Sequence, residues 1–202
     1  MKSTDALLII FTKNPELGKV KTRLANAVGN KAALNIYKFL LSHTVSVTKN
    51  LEVDKRVYYS EEVPEKDIWP SETFYKRLQR GGNLGEKMEN AFQDAFNSNY
   101  KRVIIIGSDL LDLTQRDLEN AFLELEKNDV VIGPAEDGGY YLLGMKSLNS
   151  DVFKNKAWSS SSVLSETLKD LEGKKIKILE TRNDIDEIQD IDEDSILKKF
   201  IE

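Results

Sequence analysis

Hydrophobic residues fall along this chain as short solid runs separated by stretches with helical spacing. Residues 6–11 (ALLIIF) and 103–106 (VIII) are apolar at every position, the pattern of strands buried on both faces of a parallel sheet. Residues 56–59, 74–79, 130–132, 140–145 and 176–179 are further strand candidates. Residues 31–49 place Leu34, Tyr37, Leu41 and Val45 on one helical face. Residues 84–96 do the same with Met88, Ala91, Phe92 and Ala95, and residues 114–127 with Leu118, Phe122 and Leu125. Residues 162–171 predict another helix, and a short one follows the acidic segment 184–194. Residues 61–73, with Pro64 and Pro70, read as irregular. Strands alternating with helices predict one three-layer α/β/α domain over residues 1–202, built on a mostly parallel sheet.

Composition narrows the chemistry. With 40% hydrophobic and 31% charged residues the chain is globular rather than disordered. A formal net charge of −5 argues against a nucleic-acid partner, which calls for a basic face. No apolar stretch approaches the roughly 20 residues of a membrane span, and residues 6–11 run at once into polar sequence, unlike a signal peptide. A cytoplasmic protein without a membrane span is expected. There is no cysteine and one histidine, His43, in a predicted helix. Disulfides, thiolate–zinc sites, cysteine nucleophiles and histidine clusters are therefore excluded. A metal would be held by carboxylates, which suits hard ions such as Mg²⁺ or Mn²⁺.

Open α/β sheets bind ligands beyond the carboxyl ends of their strands, so the residues after each apolar run are the candidates. After the first run, Lys13, Lys19, Lys21 and Arg23 fall within eleven residues around Gly18. This is a phosphate cradle or a solvated basic loop; it lacks the P-loop spacing. Gly107-Ser108-Asp109 ends the 103–106 strand. Asp109 is placed to hold a divalent ion, with Asp112 a second candidate, unless Asp112 or Thr114 simply caps the next helix. Asp137-Gly138-Gly139 is a plain turn, or a turn that brings a carboxylate and close backbone to the same sheet edge. Asp184 and Asp186 flank Ile185, so an extended segment puts both on one face, where they can complete a metal site opposite Asp109. The acidic residues beyond Asp190 read better as a solvated run or a cap. The loop 80–86 can line a nucleobase or sugar pocket, or serve only as a turn. The indole of Trp158 can cover an acceptor.

These segments occur together as Lys13-x-Pro15-x-x-Gly18-x-Val20-Lys21-Thr22-Arg23-Leu24, Gln79-x-Gly81-x-x-Leu84-Gly85, Gly107-Ser108-Asp109, Asp137-Gly138-Gly139-Tyr140-Tyr141 and Asp184-Ile185-Asp186. In that order, over residues 5–195, the chain resembles a GT-A-like nucleotide-diphospho-sugar transferase family. That family occurs beside radical-SAM genes, includes glycosyltransferases assigned to arsenosugar biosynthesis, and is related to guanylyltransferases of molybdopterin and deazaflavin cofactors. The resemblance implies a Rossmann-like GT-A fold and a nucleotide-sugar or NTP substrate. It implies Mg²⁺ or Mn²⁺ near Asp109, with Asp184 and Asp186, and catalytic roles for Asp109, Asp137 and Lys21. Lys13, Gly18, Lys21, Arg23, Gln79, Gly81, Gly85, Ser108, Gly138 and Gly139 would bind the nucleotide. The acceptor would be a small molecule. Leu111 stands where the family commonly has Pro and Glu187 where it has Thr, and the central strand carries Asp109-x-x-Asp112 rather than Asp-x-Asp.

Overall fold

The computed structural model describes residues 4–201. Seven strands form one sheet: β1 (Ala6–Thr12), β2 (Asp54–Tyr59), β3 (Tyr75–Leu78), β4 (Arg102–Ile106), β5 (Val130–Pro134), β6 (Tyr140–Met145) and β7 (Ile176–Ile178), in the order β3-β2-β1-β4-β6-β5-β7. All neighbours are parallel except β6, which runs antiparallel to β4 and β5. The five-residue link 135–139 is too short for a crossover, so β5 and β6 must form a hairpin.

Pleating sends alternate residues of β1 to opposite layers. Leu8 and Ile10 pack with Tyr37 and Leu41 of α2 (Asn30–Thr48) and with Leu118, Phe122 and Leu125 of α4 (Gln115–Lys127). Leu7 and Ile9 pack with Met88, Ala91 and Phe92 of α3 (Leu84–Asn97), beside Leu164 and Leu168 of α5 (Val163–Asp170). Burial on both faces explains why the run at residues 6–11 has no polar break. The helical faces of α2, α3 and α4 are those that the spacing predicts. Asn83 accepts the Glu86 N–H to start α3, and Thr114 forms a capping box with Asp117 to start α4. Thr114, rather than Asp112, is thus the cap. The short helix expected near the end is a 3₁₀ turn, Ile196–Phe200.

The spacing does not predict α1 (Thr22–Val28). This helix is seven residues long, buries only Leu24, and follows Lys21, whose left-handed backbone (φ 47°, ψ 46°) is a poor helix-start signature. A second stripe of α2, Ala33, Ile36 and Leu40, packs with Leu24 against Ile185, Ile191 and Leu197 from the C-terminal segment. That segment is also hydrogen-bonded to the sheet edge. Arg182 N–H donates to Pro134 O at 3.0 Å, and Ile185 N–H donates to Asp109 O at 3.3 Å. The Arg182 guanidinium, 11% exposed, pairs with Asp112 at 2.7 Å and Asp117 at 2.9 Å. Among the described residues no helix is long and apolar enough to cross a membrane.

Ile185 is the apolar anchor between two acidic residues and is 6% exposed. Ile185→Ala is expected to cost about 2–5 kcal/mol. A urea midpoint that falls at unchanged m-value would report that loss; an unmoved midpoint would mean that the segment is not held there.

Candidate functional site

The carboxyl ends of β1, β2 and β4 and the start of β6 open into a cleft of about 710 Å³, ample for a nucleotide with an attached group. The cleft is built on a buried hydroxyl network. Tyr37 OH, from α2, accepts the Lys13 backbone N–H at 2.8 Å. It lies 3.1 Å from Thr12 Oγ1 and 3.3 Å from Ser108 Oγ. Ser108 Oγ donates to Thr12 Oγ1 at 3.2 Å. The tips of β1 and β4 are thereby tied together, and burial pushes the Tyr37 hydroxyl above its ordinary pKa.

Three carboxylates converge there. One oxygen each from Asp109, Asp184 and Asp186 lies within 4.8 Å of the others. Asp109 comes from the end of β4, and the other two come from the C-terminal segment. That segment is shaped by Asp190, which accepts the backbone N–H groups of Asp186 at 2.9 Å and Glu187 at 2.6 Å. Lys21 Nζ donates to Asp109 at 2.9 Å and to Asp186 at 2.7 Å, with its side chain only 4% exposed. Arg23 pairs with Asp186, and with Glu187 at 3.5 Å. Burial alone would lower the Lys21 pKa, but the charges of Asp109 and Asp186 outweigh it and hold the amine well above its ordinary value. Burial would likewise raise Asp186, yet Lys21 and Arg23 hold it below the ordinary carboxylate value. Asp184 makes no ion pair among the described residues, and the charge of Lys21 offsets its surroundings only in part. Burial first, then the charges of Asp109 and Asp186, push it up to about 6.

The trio fits a hard divalent ion. Donors on opposite sides of Mg²⁺ are roughly 4 Å apart when each bond is about 2.1 Å, and wider for larger ions. The donors are all carboxylate oxygens, with no sulfur or imidazole to select a softer metal.

The remaining candidates divide. Lys13, Gln79, Asp137 and Gly139 line the cleft with Lys21, Arg23, Ser108 and the trio. Gln79 Nε2 is spent on the carbonyls of Thr12 and Tyr58 at 3.3 and 3.0 Å, and Asp137 accepts the Gly139 N–H at 2.8 Å. Gly18, Gly81, Gly85 and Gly138 lie outside the lining. Gly85 is required by packing, because a Cβ there would stand 2.4 Å from Phe153 O and 2.7 Å from the Trp158 ring. Gly138 has φ +89°, and a Cβ would meet the Ser161 backbone at 2.4 Å. Asp112 is paired with Arg182 and stands outside the trio. Tyr37 and Lys87, both on helices, line the cleft and escape a reading of the sequence by strand ends, whereas Ser60 directly follows β2. Lys87 lies in the first turn of α3, just after the glycine-rich loop, and no ion pair engages Lys13 or Lys87 among the described residues.

The sign of Asp184's contribution follows from its raised pKa. It favours the fold below its unfolded value near 3.8 and loses that contribution as pH rises through about 6. Asp184→Asn is therefore expected to raise the melting temperature of the metal-free protein at pH 7.5 and leave it almost unchanged at pH 4. Equal shifts at both pH values would show that Asp184 is not strained by its neighbours.

Comparison with known proteins agrees with this architecture. No curated protein matches the chain. A candidate nucleotide-diphospho-sugar transferase from Desulfovibrio desulfuricans is 32% identical, with a TM-score of 0.86 over 91% of this chain and 83% of that one. Two more distant structures share the fold. One is the 4-diphosphocytidyl-2C-methyl-D-erythritol synthase of Anaerococcus prevotii, with 11% identity, TM-score 0.59 and 92% of both chains covered. The other is the inositol-1-phosphate CTP transferase of T. maritima, with 13% identity, TM-score 0.53, and 96% of this chain and 94% of that one covered. The sheet and its helices thus have the nucleotide-diphospho-sugar transferase fold that the motifs imply. Residues 44–160 match the model of a family described as an uncharacterized protein conserved in bacteria, DUF2064, and the chain belongs to that family.

Proposed function

We propose that the chain is a divalent-metal-dependent glycosyltransferase that uses a nucleotide-diphospho-sugar donor. The observation that carries this reading is the convergence of Asp109, Asp184 and Asp186 in a cleft that also presents Lys13, Lys21, Arg23 and Lys87. Carboxylates that share a cleft with Lys13 and Lys87, which make no ion pair among the described residues, suit a ligand that is itself a metal–phosphate complex. The likeness to the Desulfovibrio protein, and that protein's name, support the donor class.

The roles follow from position. Asp109, Asp184 and Asp186 would hold Mg²⁺ or Mn²⁺, which supplies charge neutralisation to the departing diphosphate. Arg23 and Lys13 stand beside the same carboxylates and meet the phosphate oxygens. Asp137, on the β5–β6 turn, faces the cleft and accepts the proton of an acceptor hydroxyl. Trp158 and Ser160 close the side next to α5, where a small-molecule acceptor fits. Gln79, its amide committed to two carbonyls, shapes the β2 side of the cleft.

A second reading has its own support. Four cations in the lining also match the greater charge of a triphosphate, and two of the structures that share the fold are named for CTP or diphosphocytidyl chemistry. In that reading the chain is a nucleotidyltransferase that attaches a nucleotide to a phosphorylated acceptor and releases pyrophosphate.

A thermal-shift panel of nucleotide sugars and NTPs, each with and without Mn²⁺, separates the two readings. A ligand at 100 times its Kd adds about 2.7 kcal/mol to stability. A Mn²⁺-dependent shift with one nucleotide sugar supports glycosyl transfer. A shift confined to an NTP, with pyrophosphate release, replaces it with the second reading. Asp109→Ala is expected to abolish the metal-dependent shift and leave the circular dichroism unchanged. Asp137→Asn should keep the shift and lose roughly 10²–10⁴-fold in turnover; full turnover in that variant would remove Asp137 from the proton path.

A further inference from the structure

The carboxylate trio already contains a cation of the chain's own. Lys21 Nζ sits between Asp109 and Asp186, at 2.9 and 2.7 Å, on a side chain that is 4% exposed. Its backbone is held in the left-handed region, φ 47° and ψ 46°, which a residue with a Cβ adopts only when its surroundings impose it. The conformation comes at the point where β1's loop turns into α1, so the turn itself aims the side chain into the cluster. Asp186 is engaged twice, because Arg23 takes its other oxygen.

A divalent ion and this ammonium need the same oxygens. An ion bound about 2.1 Å from one oxygen of Asp109 and one of Asp186 would stand within a few ångströms of Nζ. Two cations at that range repel strongly in a partly desolvated cleft. Lys21 must therefore leave, and a buried ammonium leaves only when it is offered other acceptors. Phosphate oxygens are such acceptors, and Lys13, Arg23 and Lys87 line the cleft into which the amine would turn.

We propose that Lys21 is the resident counter-ion of this site, so that the site takes a divalent cation together with a polyphosphate, as their complex, and not as the free ion. The proposal rests on the metal-dependent transferase reading. It sets an order on binding: the nucleotide's phosphates draw Lys21 away, Asp109 and Asp186 are freed, and metal and nucleotide are held as one unit. Free metal does not assemble the site ahead of substrate.

Equilibrium dialysis of the full chain against Mn²⁺, alone and with equimolar inorganic pyrophosphate, tests this. The wild type is expected to retain Mn²⁺ at least about ten-fold better with pyrophosphate than without. Lys21→Met is expected to bind Mn²⁺ alone at least about ten-fold more tightly than the wild type, since it removes a charge beside the site, and to gain nothing from pyrophosphate. Lys21→Gln serves the same purpose if the methionine variant does not fold by circular dichroism. Wild type that binds free Mn²⁺ tightly, with no gain from pyrophosphate, overturns the proposal without any variant. If Lys21→Met binds free Mn²⁺ no more tightly while Asp184→Asn removes the pyrophosphate-dependent retention, the metal site stands and the role of Lys21 falls. If no protein retains Mn²⁺ under either condition, the metal-dependent reading falls and takes this proposal with it.

Discussion

Three carboxylates held within 4.8 Å of one another repel unless positive charge sits among them. Lys21 supplies that charge, and the rest of the cleft is organised around the resulting contact. It joins residues 21, 109 and 186, which come from the loop after β1, the tip of β4 and a segment beyond β7. A buried ion pair adds little net stability over an apolar contact, but it is costly to break, because the remaining partner is left charged and desolvated. Such a contact specifies a position more than it strengthens a fold. The strength comes from elsewhere: Ile185, Ile191 and Leu197 press on α1 and α2, and Arg182 spans Asp112 and Asp117.

The sheet therefore does not make the site alone. β1 and β4 deliver Lys13 and Asp109, and the buried Tyr37 hydroxyl keeps their tips in register. The antiparallel β6 brings the 137–139 turn to the same edge, because a hairpin returns where a crossover would have carried the chain away. Packing on the opposite layer fixes the far wall: with no side chain, Gly85 lets the start of α3 close onto Phe153 and Trp158.

Much of this could be read in the sequence, for identifiable reasons. Solid apolar runs mark strands covered on both faces, and β1 and β4 are such strands. The stripes of α2, α3 and α4 are long enough for a 3.6-residue period to emerge. Asp184 and Asp186 fall on one side because Ile185 has to point into the cluster with Leu24 and Ile36. The rest depends on tertiary contact. α1 is too short and too exposed to show a period, and it starts at Lys21 with no side-chain cap to mark it. Gly85 and Gly138 resemble ligand-facing glycines locally, yet what they accommodate is protein from distant segments. Tyr37 reads as one more core position of α2, because a hydroxyl network across residues 12, 37 and 108 leaves no local pattern. Lys87 is one surface lysine among many until α3 is known to begin at the cleft.

The reliance on residues 182–186 also sets when the site comes into being. Among the described residues the seven strands and the five α-helices all precede Arg182, so on the ribosome the sheet and its α-helices emerge before the second and third carboxylates exist. A nascent or truncated chain lacking this segment would keep the apolar sheet and the cationic loop but only one member of the trio. Lys21 would then have Asp109 alone as its partner. The charge balance that defines the site is thus drawn up last, by a strap laid across a framework that is already present.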